Sequence, residues 1–118
     1  MEFGDLRVDV TRADGNVRLD WRGKSNHRQP ETLLNPFLSD ITQRALSDKA
    51  AITMHFEELE FFNSSTITVI IQFVKNLREK QVKLAMSYNA QHKWQKIFFD
   101  ALSMFEKDDG LFRIQAVR

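Results

Sequence analysis

Between Leu6 and Trp21 the side chains change character at every second residue, and the longer period that follows leaves few folds open. Leu6, Val8 and Val10 alternate with Asp5, Arg7 and Asp9, and Val17, Leu19 and Trp21 repeat the pattern after Asp14-Gly15. Successive side chains of a strand point to opposite faces, so each run reads as a strand with one buried face. An Asp-Gly pair supplies the positive φ angles of a tight turn, and the opening is predicted to be a β-hairpin.

A polar loop, "GKSNHRQPETLL", follows from Gly23. Asn35-Pro36 fits an N-cap followed by a first helical residue, and Leu34, Phe37, Leu38, Ile41 and Ala45 form a helical stripe. Ile52, Met54 and Phe56 mark a strand. Ile67, Ile70, Ile71, Val74 and Leu77 predict a helix over 64–80, whose positive end suits the C-terminal dipole. Val82, Leu84 and Met86 predict a strand, and Trp94, Ile97, Phe98, Ala101, Leu102 and Phe105 another helix. Asp109-Gly110 then turns the chain into a last strand, Leu111 to Val117. The order is β-β-α-β-α-β-α-β. It predicts an α/β fold: a mixed, mostly parallel sheet with helices packed on it. At 118 residues this is one domain, 1–118.

Composition narrows the function. The chain is 42% hydrophobic, enough for one core, and 17 basic residues against 16 acidic ones leave no field for nucleic acid. There is no cysteine, so disulfides and thiolate metal sites are excluded. His27, His55 and His92 are dispersed, and the four glycines stand singly, so neither a metal site, a phosphate loop nor a cofactor is expected. Glu57, Glu58 and Glu60 read as a solvated strand end, and Phe61 and Phe62 as core. No second group is visible across a cleft for acid/base work, and no enzyme is expected. The beginning, "MEFGDLRVDV", does not resemble a signal peptide, and the longest apolar run, Val69 to Ile71, is too short for a membrane span. The expectation is a soluble cytoplasmic protein.

The junction "FFNSSTIT" carries the chemistry. Ser64, Ser65 and Thr66 follow Asn63 where a strand gives way to a helix. Asn63 or Ser64 alone can cap that helix, a contribution of about 1 kcal/mol. Three hydroxyls exceed that need, and the alternative is covalent modification. From Asn63 to Val74 there is no charge, and Ser65, Thr68, Val69 and Gln72, with Phe73 on the boundary, are expected to face outward as a neutral docking surface. A phosphate at the helix start would meet free N–H groups and a favourable dipole, and would add about −1.5 to −2 charges beside that surface.

The stretch "ELEFFNSSTITVIIQFVKNLREKQVKLAMS" resembles the central part of STAS domains, the family of bacterial anti-sigma-factor antagonists. There a strand ending in a hydrophobic pair leads to Asp-Ser-Ser/Thr-Gly and an apolar helix, and the Ser after the Asp is phosphorylated. Asn63, Ser64, Ser65 and Thr66 occupy that motif, with Asn63 in place of the Asp and Thr66 in place of the Gly. The resemblance implies Ser64 as phosphoacceptor, with Ser65 as competitor. The Asn, and "WQK" at 94–96, are similar to a branch of STAS-like regulators of which some act on biofilm formation or cyclic-di-GMP synthesis. The segment Gly23, Lys24, Ser25, Asn26 lacks the Asp often found in antagonists. The resemblance implies partner switching in signal transduction. A serine/threonine kinase phosphorylates the protein, a PP2C-type phosphatase reverses this, and a downstream regulatory protein binds only the unphosphorylated form. Its surface would comprise the start of the helix and residues 23–28. Two alternatives stay open: a lipid or nucleotide carrier with Phe61, Phe62, Trp94, Phe98 and Phe99 around a cavity, and a constitutive interaction subunit.

Overall fold

The alternating runs pair as a hairpin, about a turn in which Gly15 but not Asp14 takes a positive φ. In a computed structural model describing residues 1–117, β2 (Leu6–Ala13) and β3 (Asn16–Ser25) are antiparallel, with Val8 opposite Trp21 and Ala13 opposite Asn16. Gly15 takes φ 73° in the connecting turn. The remaining elements are β1 (Glu2–Phe3), α1 (Glu31–Asp48), β4 (Ala51–His55), β5 (Leu59–Phe62), α2 (Ser64–Glu79), β6 (Leu84–Tyr88), α3 (Lys93–Leu102), a 3₁₀ turn (Ser103–Phe105) and β7 (Phe112–Ala116). The predicted order holds, with the short strands β1 and β5 added.

The strands lie in the order β1-β2-β3-β4-β6-β7, and β5 pairs with the end of β3. The β1–β2 and β2–β3 pairs are antiparallel and the others parallel. Val8, Leu19, Ile52, Met54 and Met86 join the buried residues of all three helices in one core, so the helices cover one sheet face. The other face is polar. There Arg18 holds Asp20, and a hydrogen bond from Arg7 keeps the Asp9 carboxyl below the usual carboxylate range.

Several elements depart from the periodicity reading. β3 runs on through Gly23 and Ser25, which were expected in a loop. Gly23, at φ 85°, makes the irregularity that lets β3 leave β4 and pair with β5. A Cβ there would stand 2.1 Å from the Asp5 carbonyl oxygen, so the close approach of the chain requires glycine. α1 begins at Glu31, and the Pro30 carbonyl accepts from the Leu34 N–H at 2.9 Å. Pro36 therefore lies inside the helix, not at its start. Its missing N–H leaves unpaired only the carbonyl of the exposed Thr32, which water can satisfy. Phe61 is 45% exposed, while Phe62 is buried as expected.

The helix faces are also rotated. α2 buries Thr66, Val69, Ile70, Phe73, Val74 and Leu77, leaving Ile67 and Ile71 half-buried. α1 lies beside it, and Leu38 and Thr42 share a groove with Val69 and Phe73. In α3 the buried residues are Gln95, Phe99 and Leu102, whereas Ile97 is 63% exposed. The cause is the Gln95 amide. It donates to the carbonyls of Phe56 (2.8 Å) and Leu59 (2.9 Å) and accepts from the Asn89 N–H (2.8 Å), binding α3 to the connections after β4 and β6. Among the described residues no helix is long and apolar enough to cross a membrane.

Gln95→Leu keeps the volume and removes all three bonds. Each buried polar group left unsatisfied costs about 1–3 kcal/mol, so the variant should lose about 3 kcal/mol of stability in urea unfolding. A loss below about 1 kcal/mol would contradict this role.

Candidate functional site

The hydroxyl cluster stands where β5 ends beside β3. Asn63 is extended, at φ −83° and ψ 175°, and its side-chain oxygen accepts from the Thr66 N–H at 2.9 Å. Asn63 is therefore the N-cap of α2. The same oxygen accepts from the Thr66 hydroxyl at 2.8 Å. That proton being used, the Ser25 hydroxyl donates to Thr66 Oγ1, across 2.7 Å. Ser25 and Thr66 are 3% and 1% exposed, so the chain of hydroxyls is sealed from water.

The other end of Asn63 faces a different segment. Its Nδ2 donates to the His27 carbonyl at 2.7 Å, and its backbone N–H donates to the Ser25 carbonyl at 3.0 Å. His27 in turn packs its ring on Phe3 and accepts the Gln29 N–H at Nδ1. One amide thus ties the 25–29 segment to the start of α2. An aspartate could accept from Thr66 but could not donate to His27 while ionised.

Ser64 stands outside this network. It is the first residue of α2 and is exposed, and its hydroxyl has no partner among the described residues. The N–H groups of Ser64 and Ser65 also lack a protein acceptor there, as expected of a first turn. The first turn carries no acid. Ser65 is half-buried in a depression shared with Glu31, Asn35, Thr68, Val69 and Gln72, so a phosphate on Ser65 would crowd a carboxylate. Ser64 is the more accessible of the two.

The other expected residues divide. Ser25 bonds the cluster directly, Gly23 shapes its approach, and Lys24 and Asn26 are exposed beside it. Thr68 and Gln72 are exposed on α2. Val69 and Phe73 are not: at 6% and 5% exposure they form the floor of the α1–α2 groove. The neutral surface is thus made of amides and hydroxyls, with its apolar part buried. The bond from Asn63 to His27 went unread in the sequence, because a backbone carbonyl leaves no mark there.

Two other clusters bear on chemistry. On the open sheet face, Ser87 Oγ lies 2.7 Å from His55 Nδ1 and donates to Glu57 at 2.8 Å. Serine and carboxylate meet the same ring nitrogen, whereas a nucleophilic triad needs them on opposite ones. Glu57 is therefore bonded in place, while Glu58 and Glu60 are exposed as expected. The aromatics proposed for a carrier pack against one another. Phe62 meets Trp94 at 4.8 Å and Phe98 at 4.9 Å, and Phe98 meets Phe99 at 4.8 Å. With Phe61 pointing outward, they fill the space a ligand would occupy. Among the described residues no group of three or more His, Asp or Glu is placed to hold a metal ion.

Asn63→Ala should cost about 2 kcal/mol, since it removes the cap and strands Thr66, whereas Ser64→Ala should change stability by less than about 0.5 kcal/mol. Thermal unfolding of the two variants checks the contrast. Equal losses would mean that Ser64 shares the cap.

No protein-family model matches the sequence, and no curated protein sequence matches it. Solved structures do. The anti-sigma factor antagonist SpoIIAA, in its unphosphorylated form, is similar at 16% identity and a TM-score of 0.55, over 80% of this chain and 81% of that one. An anti-sigma factor antagonist from Mycobacterium paratuberculosis is similar at 15% identity and a TM-score of 0.57, over 90% and 91%. A chain from the complex of the diguanylate cyclase SiaD with its activator SiaC, from Pseudomonas aeruginosa, is similar at 19% identity and a TM-score of 0.66, over 96% and 94%. The chain has the SpoIIAA-like fold of STAS domains.

Proposed function

We propose that this chain is a single STAS-like domain, residues 1–118, that binds a regulatory protein under the control of phosphorylation at Ser64. The observation that carries the reading is the division of labour at α2. Asn63 supplies the cap, so the exposed Ser64 hydroxyl is left without a structural task. A phosphate there would sit at the positive end of a 16-residue helix, beside the free N–H groups of its first turn. The fold would accept it without rearrangement.

The chain is then substrate and scaffold, not catalyst. A serine/threonine kinase adds the phosphate, a PP2C-type phosphatase removes it, and the bound partner is a downstream regulator, all in the cytoplasm. The contact surface is the start of α2 with Lys24 and Asn26 on one side and Thr68 and Gln72 along the helix. Apart from Lys24 its recognition is by neutral hydrogen-bonding groups along α2, which a dianion would disrupt by charge and bulk. The similarity to two anti-sigma factor antagonists, and to a chain from an activator–cyclase complex, supports a role in binding proteins. The particular output follows from the partner.

Ser64→Asp should abolish capture of the partner that wild type and Ser64→Ala both retain. Its melting temperature should rise slightly or stay constant, since an acid in the first turn contributes about 0.3–1 kcal/mol. Equal capture by all three proteins would favour the constitutive subunit.

A further inference from the structure

We propose that the outer ridge of α3 is a self-association surface, occupied by α3 of a second copy of this chain running antiparallel to it. The inference is independent of Ser64 and stands on the two faces of α3. The inner face carries Gln95, Phe99 and Leu102. The outer side exposes Ile97 and Ala101, continued by Met104 of the 3₁₀ turn, with the half-buried Trp94 at the edge of this ridge and Lys93, Lys96 and Asp100 flanking it. Ile97 and Met104 are 63% and 76% exposed. Exposed apolar residues aligned along one side of a helix leave a strip to cover.

The spacing selects another helix as the cover. Trp94, Ile97, Ala101 and Met104 are separated by three, four and three residues, the seam of two packed helices. An antiparallel copy sets Trp94 against Met104 and Ile97 against Ala101 in both directions. Each bulky side chain then meets a small or pliable one, which suits interdigitation. A two-fold axis through the middle of the helix satisfies every pairing twice.

Charge favours the same orientation. The beginning of the segment carries Lys93 and Lys96, and its end carries Asp100, Glu106 and Asp108 with Lys107 between them. Lys96 already pairs with Asp100 of its own helix at 2.9 Å. That leaves the exposed Lys93 at one end and, near the other, the exposed Glu106, Lys107 and Asp108, which together carry one negative charge. Antiparallel packing brings these unlike ends together and opposes the two helix dipoles, whereas parallel packing would align like with like. The seam is short. A standard interface buries roughly 1,600 Å² and one 10-residue helix supplies less, so the dimer should be weak, with a dissociation constant above about 10 μM.

Sedimentation equilibrium of the full chain from about 10 μM to about 1 mM tests this. The mass should rise with concentration from 13.9 kDa towards that of a dimer. Ile97→Lys should weaken association at least tenfold with an unchanged melting temperature, since the side chain stands outside the core. Lys93→Glu should weaken it about threefold, and adding Asp108→Lys should restore it. A wild-type mass that stays at 13.9 kDa throughout would overturn the proposal and leave the ridge to a helix of another protein. So would a dimer indifferent to Ile97→Lys, and charge variants without effect would overturn the antiparallel register.

Discussion

The side-chain amide of Asn63 is the point on which the site depends, because it caps α2 and at the same time holds the 25–29 segment. Its oxygen takes the N–H and the hydroxyl of Thr66, and its nitrogen holds the His27 carbonyl. Remove the acceptor and the buried Thr66 hydroxyl loses the group that receives its proton. Remove the donor and the 25–29 segment is no longer tied to α2 through this side chain. These consequences distinguish Asn from the Asp of the antagonist motif. An ionised carboxylate serves the helix but turns a negative oxygen towards a carbonyl. With Asn63 filling the cap, the neighbouring hydroxyl is released for other chemistry.

The one-sided core gives the site its setting. All three helices lie over one sheet face, so the loops at the ends of the parallel strands carry the groups that are free to act. The α2 start emerges from β5, which is held by the last residues of β3 beyond the Gly23 irregularity. That arrangement brings Ser25 against Thr66 although 41 residues separate them. The Gln95 amide performs the corresponding task at α3, fixing which face turns inward and leaving Ile97 outside.

Much of this was legible from residue order. The hairpin followed from alternation around Asp14-Gly15, α2 from its apolar spacing, and the presence of a cap, though not the choice of Asn63 over Ser64, from the polar residues before the helix. The rest depended on neighbours that periodicity does not record. Val69 looked outward and Phe73 marginal on an isolated helix, and both are buried because α1 lies beside α2. Ile97 and Ala101 looked inward because they are apolar, and both are exposed. The structure buries Gln95 instead, since its amide satisfies three backbone groups. Pro36 resembled a helix start but is accommodated within α1, where the carbonyl it leaves free belongs to an exposed residue. Polar residues with fully matched partners and packing from a neighbouring helix are thus what the pattern of apolar residues missed.

The most direct test of the account is phosphopeptide mapping of the protein purified from its native cells, with and without phosphatase treatment. The account predicts one phosphatase-sensitive phosphate on Ser64, with Ser65 and the buried Thr66 unmodified. A protein that carries no phosphate on Ser64 across several growth conditions, or that carries it on Ser65 instead, would contradict the central claim that capping by Asn63 frees Ser64 to act as the switch.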